Sequence, residues 1–250
     1  MIMSKTWYMR LYKLYLLFAI LLVSAPLVAD EEAPSSFKAV YKLYYSGMEV
    51  AETERSISKS GNGNNEYIYR SESRTIGLAS VFRKDHIVEE SLWRVIDRQL
   101  YPLDYSYVRY RGEKDREVNI HFDWENNVIK SQVNKKTREI TLTSGVLDKL
   151  LYQYAIMRDL QNGNFPDTYM IADGGRNMET YHFNNMGNEK VKTPLGDLDT
   201  IKVEHIKVND DRKLVFWCAP ELNYLPVKIE HTEEDGKVTT AVIQQLAGLL

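Results

Sequence analysis

The stretch Thr143-Ser144-Gly145-Val146-Leu147-Asp148-Lys149-Leu150-Leu151-Tyr152-Gln153-Tyr154-Ala155-Ile156-Met157-Arg158-Asp159-Leu160 decides how the rest of the chain is read. Val146, Leu147, Leu150, Leu151, Tyr154 and Met157 recur at spacings of three and four, so they line one stripe of a helix. The spacing predicts a helix over 143–160 with Thr143 or Ser144 as cap. Asp148 stands where the helix dipole favours a negative charge. Arg158 suits the last turn, and Asn162-Gly163 with Pro166 beyond supplies a stop. Lys149, Tyr152 and Ile156 fall off the stripe, which predicts an outward face.

Nearly everything else alternates with the period of two that marks strands. Phe37, Ala39, Tyr41, Leu43 and Tyr45 share one face of a strand over 37–45, and Met48 to Ser58 follows after Ser46-Gly47. Gly61-Asn62-Gly63-Asn64-Asn65 is a turn signal. In Glu66 to Ile76, Tyr67, Tyr69, Ser71, Ser73 and Thr75 oppose Ile68, Arg70, Glu72, Arg74 and Ile76. Neither face is strongly apolar, so one is expected to meet water or a polar cavity. Leu78 to Ile96 reads as extended. Pro102 within Leu100 to Leu103 suits a strand edge or start. Asp104 to Arg111 and Arg116 to Asp123 form a hairpin over Gly112-Glu113-Lys114-Asp115. Further strands are expected at Val128–Asn134, Arg138–Leu142, Thr168–Ala172, Asn177–Met186 and Glu189–Thr193. After the turn Pro194-Leu195-Gly196-Asp197 come Asp199–Val208, Lys213–Cys218, Pro226–Thr232 and Lys237–Leu246. The expectation is an all-β fold of about fourteen strands with one main helix. The strands would form a large curved antiparallel sheet or open barrel with the helix packed on it.

The first residues read differently. Lys5, Arg10 and Lys13 precede a short apolar core, Leu14 to Val23, and Ala25-Pro26-Leu27-Val28-Ala29 offers a small-residue exit before Asp30-Glu31-Glu32. That is the pattern of a cleavable secretory signal over 1–29, cut after Ala29. The apolar run falls short of the ~20 residues a spanning helix needs. The layout then becomes a signal, a flexible lead-in over 30–36 and one β-rich domain over 37–250, with periplasmic localisation.

The three cations of the leader leave 29 of the 32 Lys and Arg against 35 Asp and Glu, a net charge of −6 for the remainder. A mildly acidic surface argues against nucleic acid as a partner, since phosphates demand a basic face. The single cysteine, Cys218, has no internal disulfide partner, so the core must hold the fold without staples.

Several ordered pieces carry a resemblance. They are Leu100-Tyr101-Pro102-Leu103-Asp104-Tyr105, His121-Phe122-Asp123-Trp124, Val191-Lys192-Thr193-Pro194-Leu195-Gly196, Phe216-Trp217-Cys218-Ala219-Pro220-Glu221 and Tyr224-Leu225-Pro226-Val227-Lys228-Ile229. Together they resemble the domain-of-unknown-function family 3108 of exported bacterial proteins, over about Phe37 to Leu246. The helix start departs from the family pattern: Leu147-Asp148 stands where a polar Gln-Asp pair is expected. The resemblance implies an all-β periplasmic protein. It brings no activity and no catalytic residues.

Chemistry must therefore be sought residue by residue. His86, His121, His182, His205 and His231 are scattered without the local pairs of zinc signatures, so no metal and no cofactor is expected. Gly-x-Ser-x-Gly is absent. Cys218 reads as a buried strand-end thiol. Asp123 and Glu125 offer paired carboxylates beside Trp124, a glycosidase-like arrangement, yet a turn through Asn126-Asn127 accounts for them too. The remaining pattern is aromatic side chains beside charge. Tyr105, Tyr107 and Arg109 share a face with Arg111, and with Trp124 they form the candidate ligand-binding set, suited to a sugar or an amphiphile. A sheet with one wet side gives the same pattern.

The leading expectation is a non-enzymatic binding or accessory protein of the cell envelope, holding a lipid or glycan on its concave face. The alternatives are an envelope hydrolase acting on glycan or ester bonds, or a structural partner of an envelope protein assembly. Membrane contact is expected only through the leader before cleavage.

Overall fold

A computed structural model describes residues 33–61, 65–82, 84–110, 115–206 and 212–249. The expected signal over 1–29 lies outside the described residues. So do Arg111, the centres of the turns at 62–64 and 112–114, and 209–211.

Among the described residues fifteen strands join in one sheet. The first eight are β1 (Phe37–Tyr45), β2 (Met48–Lys59), β3 (Glu66–Thr75), β4 (His86–Ile96), β5 (Gln99–Tyr110), β6 (Arg116–Asp123), β7 (Val128–Val133) and β8 (Lys136–Thr141). The short β9 (Val146–Asp148) precedes the main helix, and β10 (Thr168–Ala172), β11 (Glu179–Thr193) and β12 (Gly196–Ile206) follow it. The chain closes with β13 (Lys213–Ala219), β14 (Leu225–Thr232) and β15 (Val238–Gly248). Among the described residues two α-helices accompany them, α1 (Ala79–Phe82) and α2 (Leu151–Gln161). The order runs β8 through β1, then β15 through β9, leaving β8 and β9 as the edges. β1 and β15 pair at the centre, so the two ends of the domain are stitched together there.

The pairing is antiparallel throughout except for β9 against β10. Register shifts at Val40/Tyr41, Leu43/Tyr44, Leu92/Trp93, Asn185/Asn188 and Trp217/Cys218 mark bulges, each of which adds twist and bend. The sheet therefore curls without closing. Gly174, at φ +89°, sits in the β10–β11 turn so close to β6 that a Cβ there would meet Val118 Cγ1 at 2.7 Å. Opposite parts of the sheet thus touch across the interior.

The helix differs from its expectation in two ways. Its first predicted turn, Val146 to Asp148, is the parallel strand β9, and the helix starts at Leu151. Val146 and Leu147 are buried, as the stripe requires, but as strand residues. Nor is the outward face where the spacing put it: Leu151, Tyr152, Gln153, Ala155, Ile156, Met157 and Leu160 are buried, and the less buried side carries Tyr154, Arg158 and Gln161. Tyr152 and Ile156, expected outside, are 3% and 1% exposed, while Lys149 is exposed. A helix buried over most of its circumference is a core helix. Here the curled sheet surrounds it: Trp93 of β4 meets Tyr154 at 4.9 Å, and Tyr152 meets Phe183 of β11 and Phe216 of β13.

Asp148 caps the helix instead of Thr143 or Ser144. Its Oδ1 accepts from the backbone N–H groups of Leu150 (2.9 Å) and Leu151 (2.8 Å), and Ser91 Oγ donates to its Oδ2 at 2.5 Å. These bonds satisfy amides that the first turn of a helix leaves unpaired.

Other departures are local. The start of Leu78–Ile96 is helix α1, not strand. Leu100–Leu103 and Asp104–Arg111 merge into β5. Pro102 sits where β5 pairs with β4 beside a bulge and lies outside the Asp104–Arg109 pairing with β6, so its missing N–H costs no ladder bond. Asn177–Met186 and Glu189–Thr193 merge into β11 across the bulge.

Two measurements follow from the enclosure of α2. Leu150 is fully buried, so Leu150→Asp strands a carboxylate in apolar surroundings and costs about 3 kcal/mol or more in urea melts. Gln161→Asp, at the exposed end of α2, costs under about 1 kcal/mol. Equal midpoints for the two would mean that α2 is not enclosed.

Asp148 gives the second. Burial pushes its carboxyl from 3.8 up to about 6, against the opposing hydrogen bonds from Ser91, Leu151 and Leu150. The folded state then holds the proton more tightly than the unfolded one. Its stabilising share is complete below about pH 4 and is lost as pH rises to about 6, a fall on the order of 3 kcal/mol. Asp148→Asn keeps the acceptor for the two amides and cannot ionise. Denaturant melts across pH 4–7 should show a flatter stability curve for Asp148→Asn than for the parent.

Candidate functional site

The registers order the concave face into rows. One runs Tyr67–Trp93 and is apolar. The next, Phe37–Ile57–Tyr69–Ser91–Tyr105–Ile120, mixes aromatic rings with a serine. Then comes Ala39–Arg55–Ser71–Glu89–Tyr107–Val118, followed by Tyr41–Thr53–Ser73–Ile87–Arg109–Arg116. Apolar side chains thus give way to polar and charged ones along the strands. α2 lies on the apolar rows, and its start meets the polar ones.

Where they meet, Arg55 Nη1 donates to Gln153 Oε1 at 2.7 Å, and the guanidinium lies 5.5 Å from the centre of the Tyr41 ring. Tyr41 in turn donates to Pro226 O at 2.8 Å. The hydroxyls of Thr53 and Ser73 stand 2.7 Å apart. Burial raises the Glu89 carboxyl above its ordinary range, while the charges of Lys149 and Arg55 pull it back. A buried charge persists only with such partners.

Beyond this polar belt the concave face opens into a cleft of about 940 Å³. Leu43, Tyr45, Val50, Ala51, Ala79 and Ile87 supply its apolar wall. Ser73, Thr75 and Asp85 add polar groups, and Arg74, Arg212, Glu233, Glu234, Asp235 and Lys237 add charge. α1 contributes Ala79 to the wall, while the neighbouring Leu78 and Val81 are 81% and 72% exposed.

The expected binding set is divided. Tyr105, Tyr107 and Arg109 do share the concave face. Tyr105 is buried, its hydroxyl 3.4 Å from Glu89 Oε1, and burial holds the phenol well above its usual range. Tyr107 is half-buried with Arg116 over its ring at 5.8 Å. Arg109 pairs with Asp85 at 3.1 Å, and Asp85 lines the cleft. Trp124 is elsewhere: its Nε1 donates to Pro102 O at 2.7 Å and its ring meets Tyr101, which fixes the far end of the β5–β6 hairpin. The faces of β3 separate as the sequence allowed. Tyr67 and Tyr69 turn inward and are buried, while Arg70 and Glu72 pair on the other side with Glu90 and His86.

Asp123 holds a turn in which Glu125 also sits. Asp123 accepts from Asn126 N (3.0 Å) and Asn126 Nδ2, and these bonds keep its carboxyl below the usual range. His86 pairs with Glu72, His121 with Asp104 and His231 with Glu233, and His205 stacks on Tyr181 at 4.5 Å. Among the described residues no three His, Cys, Asp or Glu side chains gather as metal ligands. Cys218 is buried, and burial raises its thiol far from the reactive range.

Reading by sequence missed Arg55, Glu89 and Gln153 as partners. A signal existed for Arg55: it shares the β2 face with Ala51, Thr53 and Ile57, an arginine on the inward row. Gln153 carried none, because its partner lies 98 positions away.

In sequence no curated protein matches the chain. Among solved structures it is similar to a β-barrel-like protein of the domain of unknown function DUF1849 from Brucella abortus. The identity is 7%, the TM-score 0.53, and the match covers 86% of this chain and 98% of that one. That likeness is one of fold. A chain described as a lipoprotein from Parabacteroides distasonis ATCC 8503 overlaps less, with TM-score 0.34 and 9% identity over 86% of this chain and 96% of that one. Overlap at that level says nothing about what this chain does. The sequence pattern is decisive on kinship: over residues 40–242 it matches the protein family of unknown function DUF3108, and the chain belongs to that family.

Proposed function

We propose that this is an exported binding protein of the cell envelope that holds an amphiphilic or glycan component in the cleft of its concave face. The observation that carries the reading is the cleft itself. Its volume of about 940 Å³ lies at the upper end of the ~300–1,000 Å³ of small-molecule sites. An apolar wall with few polar groups and a charged rim suits a ligand with an apolar part and a polar end. The exposed Leu78 and Val81 beside the wall extend that apolar surface outward. The signal-like pattern of residues 1–29 supports export to the periplasm. Arg109 holds Asp85 of the cleft at 3.1 Å, while Tyr107 stands outside the lining. Asp123 is held by Asn126 in a turn and neither it nor Glu125 lines the cleft, so the geometry favours binding over the hydrolase alternative.

Native mass spectrometry of protein purified from its own host tests this. The expected result is a bound mass of envelope lipid or glycan. Ala51 is half-buried on the cleft wall between Leu43 and Thr75. Ala51→Trp fills that space, so the bound mass should vanish while the melting temperature changes little. Parent protein that emerges empty and takes up nothing from envelope lipid and glycan extracts overturns the reading.

A further inference from the structure

The large apolar side chains that meet solvent most fully gather at one end of the sheet. Leu78 and Val81, between β3 and β4, are 81% and 72% exposed, and Met48 at the start of β2 is 61% exposed. Among the described residues no other large apolar side chain reaches those values. Tyr110 ends β5, Ile206 ends β12 and Val238 opens β15, and these exposed residues lie at the same end. The α1 connection is tied to the β1–β2 hairpin, because Ile76 N donates to Val50 O at 3.0 Å. Met48 in turn pairs with Tyr45 of the cleft wall.

The cleft lies at this end too. Tyr45 closes β1, Thr75 closes β3, and Glu233 and Lys237 flank the β14–β15 turn; all four line it. The exposed apolar tips therefore crown the rim of an opening whose own wall is apolar. A folded partner would need a rigid surface shaped to span that opening. A fluid lipid surface needs no such match, and apolar tips that stand free in water suit insertion into it.

Charge points the same way. The sequence runs from the apolar turn straight into cations, Leu78-Ala79-Ser80-Val81-Phe82-Arg83-Lys84, with no acid among them. Lys84 is exposed, as is Arg74 near the end of β3, which also holds Glu72. The acids of the β14–β15 turn face cations of their own: Glu234 meets Arg212 at 3.6 Å, and Asp235 pairs with Lys237. The α1 lip thus joins apolar tips to positive charge, the combination that binds anionic lipid surfaces.

We propose that this end of the sheet docks on an anionic lipid bilayer, with Leu78 and Val81 inserted at the interface and Met48 beside them. The inference deepens the binding reading above and rests on it in one respect: the amphiphile would enter the cleft from the membrane. Docking itself needs only the crown.

Flotation of the exported chain with vesicles of phosphatidylethanolamine and phosphatidylglycerol tests the docking. The parent should float with them, and less with phosphatidylcholine alone. The double variant Leu78→Ser, Val81→Ser changes two exposed side chains and should fold as the parent does. Its vesicle affinity should fall at least about tenfold, as the loss of two inserted apolar side chains implies. Native mass spectrometry after mixing with detergent-dispersed phosphatidylglycerol reads the cleft separately, and the variant should take up the lipid as the parent does. A parent that stays off the vesicles, or a variant that floats equally well, overturns the docking and leaves the cleft reading to the mass spectrum. Equal flotation with the anionic and the phosphatidylcholine vesicles overturns the part given to the cations. A parent that stays off vesicles but forms a dimer split by the double variant marks a contact between copies and overturns the bilayer as partner. Flotation without any bound lipid supports the docking and overturns its link to the cleft.

Discussion

The enclosure of α2 is the constraint on which the rest of the structure depends. Leu151, Tyr152, Ala155, Ile156 and Met157 point in different directions around the helix, and all are buried. Such a helix is stable only if apolar surface surrounds it. A flat sheet covers one side of a helix, so this one must curl. The bulges supply the bend, and the contact of Gly174 with Val118 shows how far the curl goes. The wide sheet and α2 are therefore one core, with Trp93 and Tyr154 meeting on one side and Tyr152, Phe183 and Phe216 on the other.

The same enclosure creates the polar belt. The start of a helix exposes backbone N–H groups, and here it lies inside the protein, away from water. Asp148 satisfies two of them, and Ser91 steadies its other oxygen. The carboxylate brings its own desolvation cost, which is why its proton is held so tightly. Arg55 and Gln153 extend the polar contacts toward the cleft. Because the rows of the concave face pass from apolar to polar along the strands, the helix fills one part and leaves the other open. The cleft follows from where the apolar rows stop.

Inside a family of unknown function, this geometry gives the chain specific places to test. The cleft walled by Leu43, Ala51 and Ile87 and the polar belt of Arg55, Glu89 and Gln153 adjoin on the concave face. The ion pairs on the convex side, such as Arg70 with Glu90, are partly exposed and contribute little to stability.

Alternation by two and the turn residues determined the strands, because those signals are local: Phe37–Tyr45, Arg116–Asp123 and Thr168–Ala172 stand where the pattern put them. The inward face of β3, with Tyr67, Tyr69 and its serines, was legible as a set, though its direction was not. Periodicity also found the helix but misread its start. Val146 to Asp148 has a helical spacing, yet β10 offers it a parallel partner, and a pairing 24 positions away leaves no local trace. The burial of Tyr152, Gln153 and Ile156 was hidden for a similar reason, since they are read as apolar or polar until something is seen to cover them. Tyr105, Tyr107 and Arg109 were legible as one face because they lie on one strand, whereas Trp124 was grouped with them by composition alone. Only the tertiary structure decided where the cleft lies and which charges meet in it. Curvature joins residues from distant strands, and sequence spacing encodes neighbours along a strand rather than across a cavity.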